Sequence, residues 1–114
     1  DKDKAGANVT LCQPSTHNIA EYTRRADVLV TAVNRPGFIT PDMVKEGVVV
    51  LDFGASYVED PATHKKKTVG DVCFDAVKEK AEAISPVPGG VGPMLITMLL
   101  ASTIWSAKRS AGLA

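Results

Sequence analysis

Two apolar segments without polar alternation constrain the fold of this chain most strongly. Residues 28–33, Val-Leu-Val-Thr-Ala-Val, and residues 48–52, Val-Val-Val-Leu-Asp, are almost continuous in hydrophobic side chains. A strand with one solvent-exposed face alternates polar and apolar residues, whereas a strand of a parallel sheet is buried on both faces and shows an unbroken apolar run. The two segments therefore predict strands of a parallel sheet that is covered on both faces.

Shorter signals for helices and loops separate these strands. Residues 8–12 predict an earlier strand, which leads through Gln13-Pro-Ser-Thr16 into a short helix over residues 18–25. Pro41, between the capping residue Thr40 and Asp42, predicts one helical turn. Residues 59–67 contain Pro61 and three consecutive lysines, so they predict an exposed loop or hairpin tip.

The C-terminal half predicts a surface helix over residues 74–81, a short last strand over 83–85 and a helix from about 93 to 109. The last helix is apolar on several sides, so we expect residues outside this chain to cover part of it. Strands that alternate with helices predict an α/β fold with a Rossmann-like, doubly wound parallel sheet. Because no glycine-rich phosphate-binding turn precedes residue 8, we expect this sheet to be N-terminally incomplete.

Charge and composition exclude several classes of function. The 114 residues include 13 basic and 13 acidic side chains, so neither nucleic acid nor an anionic membrane surface is expected as the main partner. No apolar run approaches the roughly 20 residues that span a bilayer, and residues 1–4 lack the apolar core of a signal peptide. We expect a cytoplasmic protein, with an organelle matrix as the alternative. The two cysteines form no metal-binding spacing and are expected to be buried free thiols, so no metal site is predicted.

The segment Pro86-Val-Pro-Gly-Gly-Val-Gly-Pro93 combines three prolines, which fix φ, with three glycines, which let another molecule approach the backbone. It precedes the last helix, so its N–H groups are also placed to hold a carbonyl or an anion. Composition alone is equally consistent with a stiff connection and with a ligand site.

The longer segment Ile84-Ser-Pro-Val-Pro-Gly-Gly-Val-Gly-Pro-Met94 is similar, almost letter for letter, to a C-terminal signature of the bifunctional methylenetetrahydrofolate dehydrogenase/cyclohydrolase family. Further segments resemble this family in the same order along the chain. They are Val9-Thr-Leu-Cys12, Ala26-Asp-Val-Leu-Val30, Pro36-Gly-Phe-Ile39, Met43-Val-Lys-Glu-Gly47, Val49-Val-Leu-Asp-Phe-Gly54 and Val69-Gly-Asp-Val72. The resemblance covers nearly the whole chain.

The resemblance implies that residues 1–114 are the C-terminal part of an NAD(P)-binding domain. The first phosphate-binding βα unit and the N-terminal catalytic domain, with its Tyr-x-x-x-Lys motif, would lie upstream. The implied reactions of one-carbon metabolism, which feed purine biosynthesis, are NADP-dependent oxidation of 5,10-methylenetetrahydrofolate and hydrolysis of the methenyl product to 10-formyltetrahydrofolate. The intact protein would carry both activities, be a homodimer and bind tetrahydrofolate derivatives, whereas this chain alone would contain no catalytic residue and be inactive.

The resemblance also implies two groups of binding residues. Those expected against the dinucleotide are Ser15, Thr16, Ala32, Val33, Asn34, Gly54, Ala55, Ser56 and Leu95. Those expected against the folate are Pro88, Gly89, Gly90, Val91, Gly92, Pro93 and Ile96.

The chain departs from the family pattern at several of these positions. Gln13-Pro14 replaces a His-Ser pair, and the basic residue that usually precedes Thr16 is missing, which weakens charge pairing to the 2′-phosphate of NADP. NADP is still the expected cofactor, with NAD as the alternative, because hydroxyl groups can hydrogen-bond this phosphate. Asn34 stands where the family commonly has glycine, Ala55-Ser56 replaces Ile-Asn, and Leu95 replaces threonine.

Two other functions compete with this interpretation. A plain nucleotide-binding module would bind the cofactor without responding to folates. A non-catalytic relative of the family would have lost cofactor binding, with Gln13-Pro14 and Leu95 marking the change.

Overall fold

The computed structural model describes residues 6–113, in which helices and strands alternate along the chain. In chain order the elements are α1 (Ile19–Thr23), β1 (Val28–Thr31), a 3₁₀ turn (Pro41–Met43), β2 (Val49–Asp52), β3 (Ser56–Glu59), β4 (Lys66–Val69), α2 (Phe74–Val77), β5 (Ala83–Ile84) and α3 (Val91–Ser110). The sequence predictions of β1, β2 and β5 are therefore confirmed. The predicted and observed bounds of these strands agree to within two residues at each end.

A three-stranded parallel sheet in the order β1-β2-β5 forms the centre of the fold. In its register Leu29 lies beside Val50, and Val50 lies beside Ile84, so these three side chains share one face. That face carries the hydrophobic core, formed by Ile39, Val44, Val48, Val50, Val72 and Val77. The parallel pairing and the burial of Val50 confirm the predicted α/β class.

The opposite face of the sheet is open in residues 6–113. Val28 and Val30 are 56% and 58% exposed, and the neighbouring Leu51 is 36% exposed. The prediction that both faces are covered is therefore wrong for the described chain. The apolar runs still reflect a sheet that requires cover on both sides, because side chains that face water would ordinarily be polar.

Residues 8–12 form no strand, contrary to the prediction. Val9 is 87% exposed and Leu11 is 92% exposed, and no described strand pairs with this segment. A β-branched, apolar sequence becomes a strand only where a neighbouring strand accepts its hydrogen bonds. The local sequence suits a strand, but residues 6–113 provide no strand that pairs with it.

The short helices and the hairpin form where they were predicted, but the short helices span fewer residues than predicted. The helix predicted over residues 74–81 ends at Val77 and continues as a turn. Residues 59–67 do form the end of a hairpin, in which β3 and β4 pair antiparallel. The Lys80 ammonium group donates to the carbonyls of Pro41 and Val44 at 2.9 Å each, which fixes the predicted turn at Pro41 against the end of α2.

Helix α3 begins at Val91, two residues before the predicted start, and has no buried residue. Its large apolar side chains are exposed along the whole helix, from Met94 at 59% to Trp105 at 68%. With 20 residues and a mean hydropathy of 1.2, it is the one helix in the described part of the chain long and apolar enough to cross a membrane. The expectation that no apolar segment approaches the length of a membrane span is therefore wrong for α3, although a helix buried within a larger core has the same composition.

Candidate functional site

The carboxyl ends of β1 and β2 lie side by side, because Thr31 pairs with Asp52 in the parallel register. The loop of residues 32–35 follows β1, and residues 53–55 follow β2. The side-chain oxygen of Asn34 accepts a hydrogen bond from the Ala55 N–H at 3.1 Å, which joins the two loops. The structure thus brings together two groups of sequence-predicted residues, 32–34 and 54–56, at the edge where open parallel sheets bind ligands.

Asp71, which sequence reasoning matched to the family without giving it a role, organises the loop after β1. Its side chain is fully buried. One carboxylate oxygen accepts from the Thr31 hydroxyl at 3.0 Å and from the Val33 N–H at 2.7 Å. The other accepts from the Arg35 N–H at 2.9 Å. The loop after β1 is therefore folded around a single buried carboxylate.

Asp52, at the end of β2, is the second buried carboxylate of this edge. It accepts hydrogen bonds from the Gly54 N–H at 2.8 Å and from the N–H groups of Asp71 and Val72 at 3.1 Å each. Among the described ion pairs, neither Asp52 nor Asp71 has a cationic partner. Backbone N–H groups and, for Asp71, the Thr31 hydroxyl offset the burial of the two carboxylates.

Two glycines leave space for these carboxylates. A Cβ atom on Gly54 would lie 2.2 Å from an oxygen of Asp71, and a Cβ atom on Gly70 would lie 2.1 Å from an oxygen of Asp52. The Asp71 carboxylate therefore packs on the glycine two residues after Asp52, and the Asp52 carboxylate packs on the glycine directly before Asp71. An acidic residue at the end of an apolar strand, with glycine nearby, is the sequence signal that could have indicated this arrangement.

The Pro/Gly segment connects β5 to α3, and part of its composition is required by its own backbone. Gly89 has a φ of +92°, in the left-handed region that favours glycine. A Cβ atom on Gly90 would lie 2.2 Å from the carbonyl oxygen of Pro86. In contrast, a Cβ atom on Gly92 would have no neighbour within 4 Å among the described residues. The stiff connection thus accounts for Gly89 and Gly90, and Gly92 is the glycine with space for a ligand.

An apolar groove of about 490 Å³ runs from the end of β2 to the start of α3. Its lining contains three of the sequence-predicted residues, Gly90, Val91 and Leu95, together with Leu51, Phe53, Ser85, Met94 and Met98. Since Phe53 directly precedes Gly54, the groove connects the predicted folate residues to the predicted dinucleotide edge. Pro88, Gly89, Pro93 and Ile96 are exposed and do not line it.

Ser15 and Thr16 belong to a turn that follows residues 8–12. Thr16 closes a turn in which its hydroxyl oxygen accepts the Gln13 N–H at 2.8 Å. Ser15 is exposed, and no hydrogen bond within residues 6–113 connects either residue to the loops after β1 and β2. The role of these two residues in cofactor binding stays a prediction.

Small side chains and a polar amide form the described edge of the sheet. Residues 6–113 contain no group of three or more His, Cys, Asp or Glu side chains that would hold a metal. Cys12 and Cys73 are free and only half-buried, so the predicted burial of both thiols is corrected to partial burial. The small side chains of Ala32 and Ala55 leave the backbone accessible, and Asn34 supplies a polar amide between them.

Comparison with known sequences identifies a matching family. Residues 2–111 match the model of the tetrahydrofolate dehydrogenase/cyclohydrolase NAD(P)-binding domain. The bifunctional protein FolD of Syntrophus aciditrophicus is 53% identical over 109 residues, which are 96% of this chain and 37% of that protein. The FolD protein of a Dehalococcoides mccartyi strain is also 53% identical over 109 residues, with the same coverage. The chain therefore spans little more than a third of the length of these relatives.

Solved structures give the same result. The bifunctional FolD dehydrogenase/cyclohydrolase of Campylobacter jejuni superposes with a TM-score of 0.78 at 45% identity, covering 92% of this chain and 36% of that one. A Trypanosoma brucei dehydrogenase-cyclohydrolase, solved with NADP and an inhibitor, superposes with a TM-score of 0.71 at 42% identity, covering 82% of this chain and 32% of that one.

Proposed function

Because the chain belongs to the tetrahydrofolate dehydrogenase/cyclohydrolase family, within its NAD(P)-binding domain, we propose that the intact protein carries out both reactions. It oxidises 5,10-methylenetetrahydrofolate with NADP and hydrolyses the methenyl product to 10-formyltetrahydrofolate. The chain spans 37% of its FolD relatives, so the activity is that of the longer protein. These residues contribute the dinucleotide site and the folate-side loop.

This proposal rests on one observation. Two loops meet at the carboxyl edge of the parallel sheet. The hydrogen bond between Asn34 and Ala55 joins them, and small side chains leave room for a flat ring. Residues 32–34 and 54–56 would hold the dinucleotide, which accepts a hydride when bound. Leu95, across the apolar groove, would exclude water from that side.

Residues 88–92 and their neighbours in α3 would form the folate side of the same cleft. Gly92 has open space at its Cα, which allows a planar pterin to approach the backbone. The groove beside Gly90 and Val91 leads from there towards Phe53 and the dinucleotide edge. This continuity supports a position for the folate next to the cofactor, as hydride transfer requires.

The proton-transfer group of the proposed reactions would come from outside this chain. Asp52 and Asp71 are the acidic side chains at the edge, and both are buried and occupied by backbone donors. A carboxylate that is held in this way is a structural acceptor and has no free oxygen directed at a substrate. The family that this chain resembles has a Tyr-x-x-x-Lys motif upstream of the matched region. This motif would supply a catalytic lysine.

We also propose that the protein is cytoplasmic and forms a homodimer, as the family resemblance implies. The equal numbers of acidic and basic residues leave no electrostatic reason for association with a membrane surface. The exposed apolar face of the sheet gives a dimer or a further domain a surface to bury. Light scattering on the intact protein measures the mass that decides the oligomeric state.

The intact protein tests the proposed function directly. We expect NADPH to form when 5,10-methylenetetrahydrofolate and NADP are supplied, and we expect the methenyl compound to be hydrolysed in a separate assay. NAD in place of NADP measures the cofactor preference that Gln13-Pro14 puts in question. Binding of NADP that does not respond to tetrahydrofolate would instead indicate a nucleotide-binding module, and absence of NADP binding would indicate a non-catalytic relative.

A further inference from the structure

Asn34 is held in an unusual backbone conformation by a single buried side chain. Its φ is +54°, in the left-handed region that asparagine tolerates better than most residues. The residues on either side of it, Val33 and Arg35, donate their N–H groups to the two different oxygens of Asp71, at 2.7 Å and 2.9 Å. The Asp71 carboxylate thus fixes the position and the direction of Asn34.

The hydrogen bond to Ala55 determines the orientation of the Asn34 side-chain amide. A backbone N–H can only donate, so the amide oxygen has to face Ala55, and the NH₂ group takes the other direction. Asn34 is exposed, and no acceptor for its NH₂ group is found in the part of the chain that the structure describes. The amide therefore offers two N–H donors to a ligand.

Four neighbouring backbone donors are already occupied. The N–H groups of Val33 and Arg35 bind Asp71, that of Gly54 binds Asp52, and that of Ala55 binds Asn34 itself. Dinucleotides present hydroxyl, phosphate and carboxamide oxygens, all of which accept hydrogen bonds. At this edge, a donor that remains unoccupied and accessible is the Asn34 side chain.

We propose that the NH₂ group of Asn34 donates a hydrogen bond to an oxygen of the bound dinucleotide, and that Asp71 is the positioning residue that holds Asn34 in place. This inference rests on the proposed function, since it requires a dinucleotide at the carboxyl edge of the sheet. It assigns a binding role to the Asn34 side chain and an indirect role to a buried residue in the segment between β4 and α2.

Two substitutions of Asn34 in the intact protein distinguish the loss of its NH₂ donors from the loss of its hydrogen bond to Ala55. Asn34→Asp keeps an oxygen for the Ala55 N–H and tolerates the left-handed conformation, but it loses both donors and adds a negative charge. We expect NADP binding to weaken by about 10-fold or more. Asn34→Gly suits the backbone and loses both hydrogen bonds without adding charge, so we expect about 3- to 10-fold weaker binding.

His64→Gly is the matched control, because His64 also has a positive φ, +53°, but lies at the end of the hairpin. We expect its NADP dissociation constant to equal that of the wild type. Equal NADP affinity of wild type, Asn34→Asp and Asn34→Gly would overturn the inference alone. A wild-type protein that binds neither NADP nor NAD would overturn the proposed function together with it.

The role of Asp71 is tested by a double-mutant cycle. If Asp71 acts through Asn34, Asp71→Asn weakens NADP binding in the wild type and has little further effect in Asn34→Gly. Fully additive losses would show that Asp71 acts independently of Asn34 and would overturn the positioning role. If Asp71→Asn does not fold, Thr31→Val replaces it in the cycle, because it removes the hydroxyl donor from the carboxylate oxygen that holds Val33.

Discussion

Asp52 and Asp71 form the most demanding local arrangement of the chain. Removal of a carboxylate from water costs several kcal/mol unless hydrogen bonds replace its hydration. Each of these two carboxylates accepts three hydrogen bonds from neutral groups, with distances between 2.7 and 3.1 Å. The arrangement depends on the close contact of each carboxylate with a glycine, so it is sensitive to a single added methyl group.

Gly54→Ala is therefore expected to destabilise the intact protein by about 2–3 kcal/mol, since the new Cβ atom displaces the Asp71 carboxylate from its donors. The atoms would otherwise lie 2.2 Å apart. Gly92→Ala is the matched control, because its Cβ atom would have no neighbour within 4 Å among the described residues. Chemical denaturation measures both variants, and equal free energies of unfolding would contradict the expectation.

Exposed ion pairs connect the elements that surround the sheet. Lys45, just before β2, donates a hydrogen bond to the carboxylate of Asp27, just before β1. This contact holds the pKa of Asp27 below its usual range. In the same way, the hydrogen bond from Thr40 holds the pKa of Asp42 below its usual range, and Arg24 of the segment after α1 reaches the same carboxylate. The first contact ties the segments before β1 and β2 together, and the second ties the 3₁₀ turn to the end of α1.

The pair of Asp27 and Lys45 predicts a pH dependence with a definite sign. A carboxyl group whose pKa is lower in the folded state stabilises the protein above its unfolded pKa, about 4, and loses this effect as the pH falls through the folded value. Asp27→Asn is therefore expected to lower the melting temperature slightly at neutral pH, with a difference from wild type that shrinks below about pH 4.

Thermal denaturation across this pH range measures the difference. Glu46→Gln serves as the control, because Glu46 is an exposed carboxylate near Lys45 that takes part in none of the described ion pairs. A difference for Asp27→Asn that persists unchanged at acid pH would mean that the carboxylate charge is not its source.

The whole chain has more apolar surface than its own elements cover. One face of the sheet exposes Val28, Val30 and Leu51, and α3 exposes apolar side chains from Met94 to Trp105. Exposed apolar patches of this kind mark interaction surfaces in soluble proteins. We propose that the remaining residues of the longer protein, of which this chain would represent little more than a third, cover both surfaces.

A polypeptide of these 114 residues is therefore expected to bind a hydrophobic fluorescent dye strongly and to catalyse neither proposed reaction. The intact protein is expected to bind the dye weakly and to be active. Dye fluorescence and the two activity assays, run on both polypeptides at equal concentration, make the comparison. Turnover by the shorter polypeptide would contradict the proposal that the catalytic group lies outside it.

The sequence alone predicted the elements whose signals are local. The unbroken apolar runs located β1 and β2, and the Pro/Gly segment located the connection from β5 to α3. The same segment, through its resemblance to a family, indicated the folate enzymes to which the chain is now shown to belong. Such signals depend on residues close together in the chain, so they can be read without a structure.

The tertiary structure decided what depends on distant partners. Residues 8–12 have a strand sequence but no strand beside them, and the apolar strands are covered on one face within residues 6–113. Asp71 binds Val33 across 38 residues of sequence, and Asn34 binds Ala55 across 21. A hydrogen bond between residues so far apart leaves no periodic trace in the chain, because only the fold brings its donor and acceptor together.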